Sequence, residues 1–200
     1  MTDTLEAKTE SAKDRVAKPV KEIPETTLTS AEVEDCLIKA RIEMLMSAPF
    51  FGNLATRLKL VNADEWCATA ATDGRNFYYN SKFIKMLRPK EVEFLFGHEV
   101  LHCVYDHMGR RGDRDPQLHN IAADYCVNAD LQKHRVGEFI KTVPCLYDVK
   151  YEGWSSEEVY DDIKDKYDDE QLEALGQLLD EHVDWEKDGD QEGQAPGQGE

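Results

Sequence analysis

The sequence predicts an α+β domain that is mainly helical and carries a small antiparallel sheet. Three long segments repeat apolar residues at helical spacing, and they lie within residues 30–48, 89–109 and 117–134. Residues 58–79 instead show short apolar runs around the pair Asp73-Gly74, which is typical of a hairpin turn. With 200 residues and 40% hydrophobic content, the chain can form one medium-sized domain with tails.

The two ends differ from the middle in composition. Residues 1–28 are rich in Thr, Lys, Glu and Ala without apolar periodicity, so we expect a flexible arm. The folded domain is predicted to span residues 29–185, and residues 186–200 to form a disordered acidic Gly/Gln linker or tail. A linker composition at this end is consistent with an excised domain or with a stand-alone version of one.

The first elements follow from capping residues and prolines. A helix is expected to begin near Thr29 or Ser30 and to end before Pro49, because the residue before proline resists helical geometry. Phe50 and Phe51 should then pack on the core.

The spacing of the apolar residues changes after residue 58, and the new spacing predicts a sheet that is followed by helices. Residues 58–60 and 66–72 are predicted as strands, and a hairpin turn at Asp73-Gly74 should lead into residues 77–79. Asn80 can cap a short helix, and Pro89 suits the first turn of the main helix, where its missing N–H donor costs nothing.

The main helix carries the pattern His98-Glu99-X-X-His102 and should stop near Gly109. On a helix, His98 and His102 lie roughly 40° apart on one face and one turn apart in height, so both imidazoles can reach one metal ion. Two imidazoles at this spacing suit Zn²⁺, and Glu99 can accept a proton from water without being a ligand. The alternative interpretation is that both histidines are ordinary, hydrogen-bonded core residues.

The following helix, from Pro116 to about His134, carries one polar stripe of Asn120, Asp124 and Asn128. A carboxylate flanked by two carboxamides on a buried helix needs partners, and a cation facing Asp124 would supply one. The alternative is a stripe that faces solvent.

Three residues compete to be the third metal ligand: His107, His119 and Asp124. His107 follows His98 by nine residues, so it points about 180° away unless the helix breaks. His119 lies about 140° from Asp124 on the next helix, so only one of the two can face the ion. The polar stripe favours Asp124.

The last part of the chain should contain an extended segment at residues 143–149, a helix capped by Ser155 or Ser156, and a further helix at residues 168–181.

Charge and cysteine content exclude several classes of protein. The net charge is −17, and residues 155–200 hold 17 acidic side chains against three lysines, so direct binding to nucleic acid is not expected. The five cysteines form no Cys-X-X-Cys pair, which argues against a disulfide framework and a thiolate zinc site. No apolar run is long enough to span a membrane and the first 21 residues are polar, so a cytoplasmic location is expected.

The pattern around these residues resembles the metallopeptidase domain found upstream of VWA-like domains in bacterial and phage proteins. The resemblance rests on the segments 98–102, 110–116 and 120–128, and on Gly153-Trp154-Ser155-Ser156-Glu157-Glu158-Val159-Tyr160, which is similar to a motif that recurs in that family. It covers roughly residues 30–165. It implies a zincin-like fold, zinc held by His98, His102 and Asp124, and Glu99 as general base.

The function expected from this resemblance is zinc-dependent hydrolysis of a peptide bond in a peptide or protein substrate. Candidates for stabilising the oxyanion are Tyr105, Tyr125, His119 and Arg114. The alternative function is a non-catalytic, zinc-stabilised interaction module, with a VWA-like domain or an AAA+ ATPase as partner. A third hypothesis is that the acidic tail mimics DNA toward a basic partner.

Overall fold

The computed structural model describes residues 29–143 and 145–167. Within them the fold is α+β, mostly helical with one small sheet, as predicted. The elements in chain order are α1 (Ser30–Ser47), α2 (Pro49–Ala55), β1 (Lys59–Asn62), β2 (Ala70–Thr72), β3 (Asn76–Tyr79), α3 (Ser81–Met86), α4 (Pro89–Val104), α5 (His107–Arg110), α6 (Pro116–His134), a 3₁₀ helix (Val149–Tyr151) and α7 (Ser156–Ile163). The predictions for residues 1–28, 168–181 and 186–200 lie outside the described residues.

Helix α1 begins and ends where the sequence predicts. Thr29 and Glu32 form a capping box, in which each side chain bonds the backbone N–H of the other residue. Pro49 starts α2 directly after α1. Phe51 is buried against the core as expected, but the expectation for Phe50 was wrong, because its side chain is 58% exposed.

The sheet is mixed, which corrects the prediction of an antiparallel sheet. Strand order is β1-β3-β2; β2 and β3 form the predicted antiparallel hairpin, but β1 pairs with β3 in parallel. A parallel neighbour needs a crossover, and the segment between β1 and β2 supplies it. This segment is tied to the end of β3 by the bonds Ala63 N–H to Tyr79 O and Asn80 N–H to Thr69 O.

Strand β2 is shorter than the predicted strand at residues 66–72. The chain turns at Ala63, whose carbonyl accepts the N–H groups of Trp66 and Cys67, so these residues cannot extend the ladder. Trp66 is accordingly half exposed. The strand begins only at Ala70, and it forms one edge of the sheet beside α4.

Helix α4 is the buried centre of the domain. Pro89 occupies its first turn and Asn80 caps the preceding α3, both as predicted. Its apolar residues are almost completely inaccessible, namely Val92, Phe94, Leu95, Phe96, Val100 and Leu101. Val104, by contrast, is 44% exposed. A buried helix holds its side chains in fixed positions, which a metal site requires.

Helix α4 stops five residues before the predicted end near Gly109. Its last residue is Val104, and Asp106 adopts the left-handed conformation with φ of 51° and ψ of 44°. The Asp106 carboxylate then accepts the N–H of Gly109 and caps the short α5. The chain therefore changes direction immediately before His107.

Helix α6 packs against two separate apolar clusters. Val127 and Leu131 belong to the main core with α1, α4 and the sheet, whereas Leu118, Ile121 and Cys126 pack with Tyr151 and α7. Asp124 is buried on the same helix, and the apolar contacts with both clusters fix the position of the helix that carries its carboxylate.

Two glycines allow close packing around α4. A Cβ at Gly97 would lie 2.7 Å from Leu131 Cδ2, so α4 and α6 approach closely at this level. Gly137 has a positive φ of 63° and brings the segment after α6 against the backbone of Phe94.

The segment after α6 contains the stretch at residues 143–149 that was predicted to be extended. Residues 145–148 belong to no helix or strand, a 3₁₀ helix begins at Val149, and the Leu146 carbonyl accepts a hydrogen bond from Asn128 of α6. Ser155 caps α7 and forms a capping box with Glu158, as predicted. All five cysteines are free.

Candidate metal centre

The candidate site lies where α4 and α6 face each other. Helix α4 places His98 and His102 one turn apart, and α6 places Asp124 opposite them. The His98 Nε2 and His102 Nε2 atoms are 3.0 Å apart, and they lie 3.5 Å and 3.2 Å from Asp124 Oδ1. Among the described residues, the side chains of His98, His102 and Asp124 form a group whose ligand atoms lie close enough together to hold a metal ion.

The three distances fit a tetrahedral metal. Ligand atoms about 2.0–2.1 Å from a tetrahedral zinc ion lie about 3.3 Å from one another. The observed separations of 3.0 to 3.5 Å are therefore those of one face of such a tetrahedron. Three protein ligands leave the fourth position open to a water or a substrate.

A second contact orients His98. Its Nδ1 lies 3.0 Å from Asn128 Oδ1, and Asn128 Nδ2 donates to the Leu146 carbonyl at 2.9 Å. Because the amide group is thus fixed, its oxygen faces the imidazole and accepts the Nδ1 proton. The Nε2 lone pair of His98 is then free to face the cluster, as ligand histidines require.

The polar stripe predicted on α6 divides into two parts. Asp124 and Asn128 are buried at the cluster, so the alternative of a solvent-facing stripe is wrong for these two residues. Asn120, the third residue of the stripe, is only half-buried.

The imidazoles and the carboxylate of the cluster shift one another's pKa values. Burial lowers the pKa of His98, but the hydrogen bond and charge of Asp124 outweigh it and raise that pKa to about 9. Burial likewise raises the pKa of Asp124, but the two imidazoles hold it well below its usual value. Both shifts have the same cause, which is that the imidazoles and the carboxylate favour a positive charge between them, and a metal ion would supply that charge in place of a proton.

Glu99 lies on the same turn of α4 as His98. It is only 6% exposed, and burial raises its pKa, although the charges of His98 and His102 oppose the rise. A buried carboxylate with a raised pKa is suited to taking up a proton.

The end of α4 at Val104 brings His107 to the site, although its spacing in the sequence disfavoured it as a ligand. His107 is buried, and its Nδ1 lies 3.1 Å from the Nδ1 of His102, the nitrogen on the far side of the ring from the cluster. Burial and the charge of His102 lower the pKa of His107 to about 2. The signal in the sequence was Asp106, a favoured helix-capping residue, placed three residues before Gly109.

His119 is buried but does not join the cluster. Its ring lies 6.3 Å from that of His107, and its Nε2 has no hydrogen-bond partner in the described part of the protein. Burial and the nearby Arg114 lower its pKa.

The remaining candidates for stabilising an oxyanion are already bound to other groups. Tyr105 donates to Asp130 at 2.5 Å, and Tyr125 lies 3.4 Å from the hydroxyl of Tyr167. Arg114 donates to the carbonyls of residues 110 and 111.

Comparison with known proteins identifies a family for this chain. The model of a protein family described as a putative metallopeptidase domain matches residues 32–200. No curated protein and no solved structure matches the chain. None of the helices formed by the described residues is long and apolar enough to cross a lipid bilayer.

Proposed function

The chain belongs to this family of putative metallopeptidase domains, and on that premise we propose that it is a zinc-dependent peptidase with a zincin-like active site. The observation that carries the proposal is the cluster of His98 Nε2, His102 Nε2 and Asp124 Oδ1, together with Glu99 on the same helical turn. Three ligands with an open position are typical of catalytic zinc, whereas structural zinc has four protein ligands.

Zinc is the proposed ion because of the donor set and the family. Two imidazoles and one carboxylate suit zinc, but the same three donors also suit a non-haem Fe(II) centre. A general base beside the ion assists hydrolysis by a metal-activated water, and Glu99 would serve as that base. Bound zinc would polarise the peptide carbonyl and lower the pKa of a water to about 7.

The protein groups would divide the remaining work among them. Glu99 would accept the proton of the attacking water and deliver it to the leaving amine, so its carboxylate must stay outside the ligand set. Asn128 would keep the His98 ring in place during the reaction. The edge strand β2, which contacts α4, would align an extended substrate by backbone hydrogen bonds.

The proposal is tested with Glu99→Gln in the full chain. Zinc content and folding should stay nearly unchanged, while cleavage of a peptide library falls by roughly 10²-fold to 10⁴-fold, as expected for loss of a general base. His98→Ala should lose both zinc and cleavage. Glu93→Gln is the matched control, because Glu93 is also buried on α4 but lies outside the cluster.

The rival function is the zinc-stabilised interaction module for a VWA-like domain or an AAA+ ATPase. It requires a fourth protein ligand and predicts that the wild type cleaves no peptide. X-ray absorption spectra of the zinc-loaded chain count the ligands. A spectrum with four protein ligands, or undiminished cleavage by Glu99→Gln, would contradict the peptidase proposal.

A further inference from the structure

His107 is a buried histidine that contacts a candidate ligand without facing the cluster. The left-handed Asp106 ends the helical path, and the following turn brings the His107 ring to 5.0 Å from the His102 ring. The contact joins Nδ1 to Nδ1 at 3.1 Å. The cluster atom of His102 is the opposite nitrogen, Nε2, at 3.2 Å from Asp124 Oδ1.

A short contact between two ring nitrogens requires one donor and one acceptor. When a metal takes the Nε2 lone pair, a neutral His102 carries its proton on Nδ1, and this N–H points at His107 Nδ1. His107 can accept it only as a neutral ring with its own proton on Nε2. The alternative pairing, with His107 Nδ1 as donor, places the His102 proton on Nε2 and blocks the ligand atom.

Both candidate histidine ligands then face the cluster with Nε2 and donate a hydrogen bond from Nδ1. His98 donates its Nδ1–H to the Asn128 amide oxygen, and His102 would donate its Nδ1–H to the His107 ring. Ligand histidines commonly donate to a carboxylate, a backbone carbonyl or a water, and such partners fix the tautomer and the ring orientation. At His102 the acceptor is an imidazole.

We propose that His107 is a positioning residue that accepts the Nδ1–H of His102 and thereby fixes the tautomer in which His102 can bind a metal. The inference rests on the proposed metal site and deepens it. The left-handed conformation of Asp106 is needed for this contact, because a helix that continued through Asp106 would point His107 away from His102.

The test measures zinc affinity in the full chain by competition with a coloured chelator, after removal of bound metal. His107→Leu fills the volume but offers no acceptor, so affinity should fall about 10-fold to 100-fold. His107→Asn should recover most of the affinity, because its side-chain oxygen is as many bonds from the backbone as the imidazole Nδ1. His107→Gln should recover less, because its oxygen lies one bond further out.

His119→Leu is the matched control. It also removes a buried imidazole from this region, but His119 lies outside the candidate ligand cluster and its Nε2 has no hydrogen-bond partner among the described residues. Its zinc affinity should match that of the wild type. Chemical denaturation of each metal-free variant separates an effect on the fold from one on the site. Should His107→Leu not fold, the comparison of Asn with Gln still decides.

A second readout is the imidazole N–H signal of His102 in nitrogen–proton NMR of the zinc-loaded chain. It should be protected from exchange in the wild type and in His107→Asn, and lost in His107→Leu. A purely structural role for His107 predicts no such difference between the Asn and Leu variants.

The outcomes separate this inference from the proposed function. Wild-type affinity in His107→Leu, or equal partial losses in the Leu and Asn variants, would overturn the positioning role and leave the metal site intact. Complete loss of zinc in both variants would make His107 a ligand and would overturn the positioning role and the open coordination together. Failure of the wild type to bind zinc would remove the basis of both.

Discussion

His98 Nδ1 and Asn128 Oδ1 lie 3.0 Å apart and join the two helices that carry the candidate ligands. Since Asn128 also donates to the Leu146 carbonyl, one amide connects α4, α6 and the segment that follows α6. The orientation of a ligand ring thus depends on a residue 30 positions further along the chain.

Asn128→Leu should weaken zinc binding about 10-fold to 100-fold, because His98 loses the acceptor that orients it. It should also reduce the free energy of unfolding by about 1–3 kcal/mol, because the Leu146 carbonyl loses its donor. Zinc competition and chemical denaturation measure the two effects. Asn120→Leu is the matched control on the same stripe and should change neither; a loss of affinity there alone would refute the assignment.

Asp124→Ala should bind less than one equivalent of zinc after dialysis, because one of three candidate ligands is gone. His119→Ala should keep its zinc, because His119 lies outside the cluster. Metal analysis by mass spectrometry measures the content of both variants. The opposite pattern, with full zinc in the first variant and none in the second, would replace Asp124 by His119 as the third ligand.

Gly97→Ala should destabilise the fold by about 1–3 kcal/mol, because the new methyl group would lie 2.7 Å from Leu131 Cδ2 and 3.0 Å from Val136 Cγ1. The higher helix propensity of alanine offsets part of this, up to about 1 kcal/mol. Leu131→Val should relieve the overlap, so a double-mutant cycle should show favourable coupling between the two substitutions. Additive effects would mean that the helices separate freely at this level.

Glu91 should contribute to acid unfolding. Burial raises its pKa, but bonds from the Arg88 side chain, the Arg88 N–H and the Lys141 N–H outweigh burial and lower the pKa below the usual value. This stabilisation is present above the unfolded pKa of about 4.3 and is lost as the pH falls through the lower folded pKa. Glu91→Gln should therefore be less stable at pH 7 and lose less stability on acidification, as measured by urea unfolding.

Glu93 should behave in the opposite sense. It is 1% exposed on the same helix, and burial raises its pKa despite the salt bridge to Lys90 at 2.6 Å. A raised folded pKa means that ionisation costs stability as the pH rises above about 4.3 toward the folded value. Glu93→Gln should match or exceed the wild type in stability at pH 7. Equal pH dependence in the Glu91 and Glu93 variants would contradict both assignments.

Local signals predicted most of the helical fold. Asn80, Pro89 and Ser155 stand at helix starts because capping and proline geometry depend on neighbouring residues only. The parallel pairing of β1 with β3 could not be predicted this way, because strand order depends on the path of the crossover and not on alternation.

The candidate site was likewise predicted only in part. His98 and His102 follow from the geometry of one helix, and Asp124 follows from a polar stripe on another. The contact of His107 with His102 depends on the left-handed backbone conformation of Asp106. Aspartate, asparagine and glycine all tolerate this conformation, but none of them requires it, so the sequence alone does not predict it. Only the path of the chain in three dimensions brings a third imidazole, that of His107, to His102.

An ion held by α4 and α6 would act on the chain as a reversible cross-link. The unfolded polypeptide must give up entropy to bring these helices together, and a ligand that binds only the folded form shifts the balance toward it in proportion to its concentration. Helix α6 packs on both apolar clusters, so the cross-link would bear on the whole domain. Scarcity of metal in a cell would then shorten the lifetime of the protein by exposing its unfolded form to proteases.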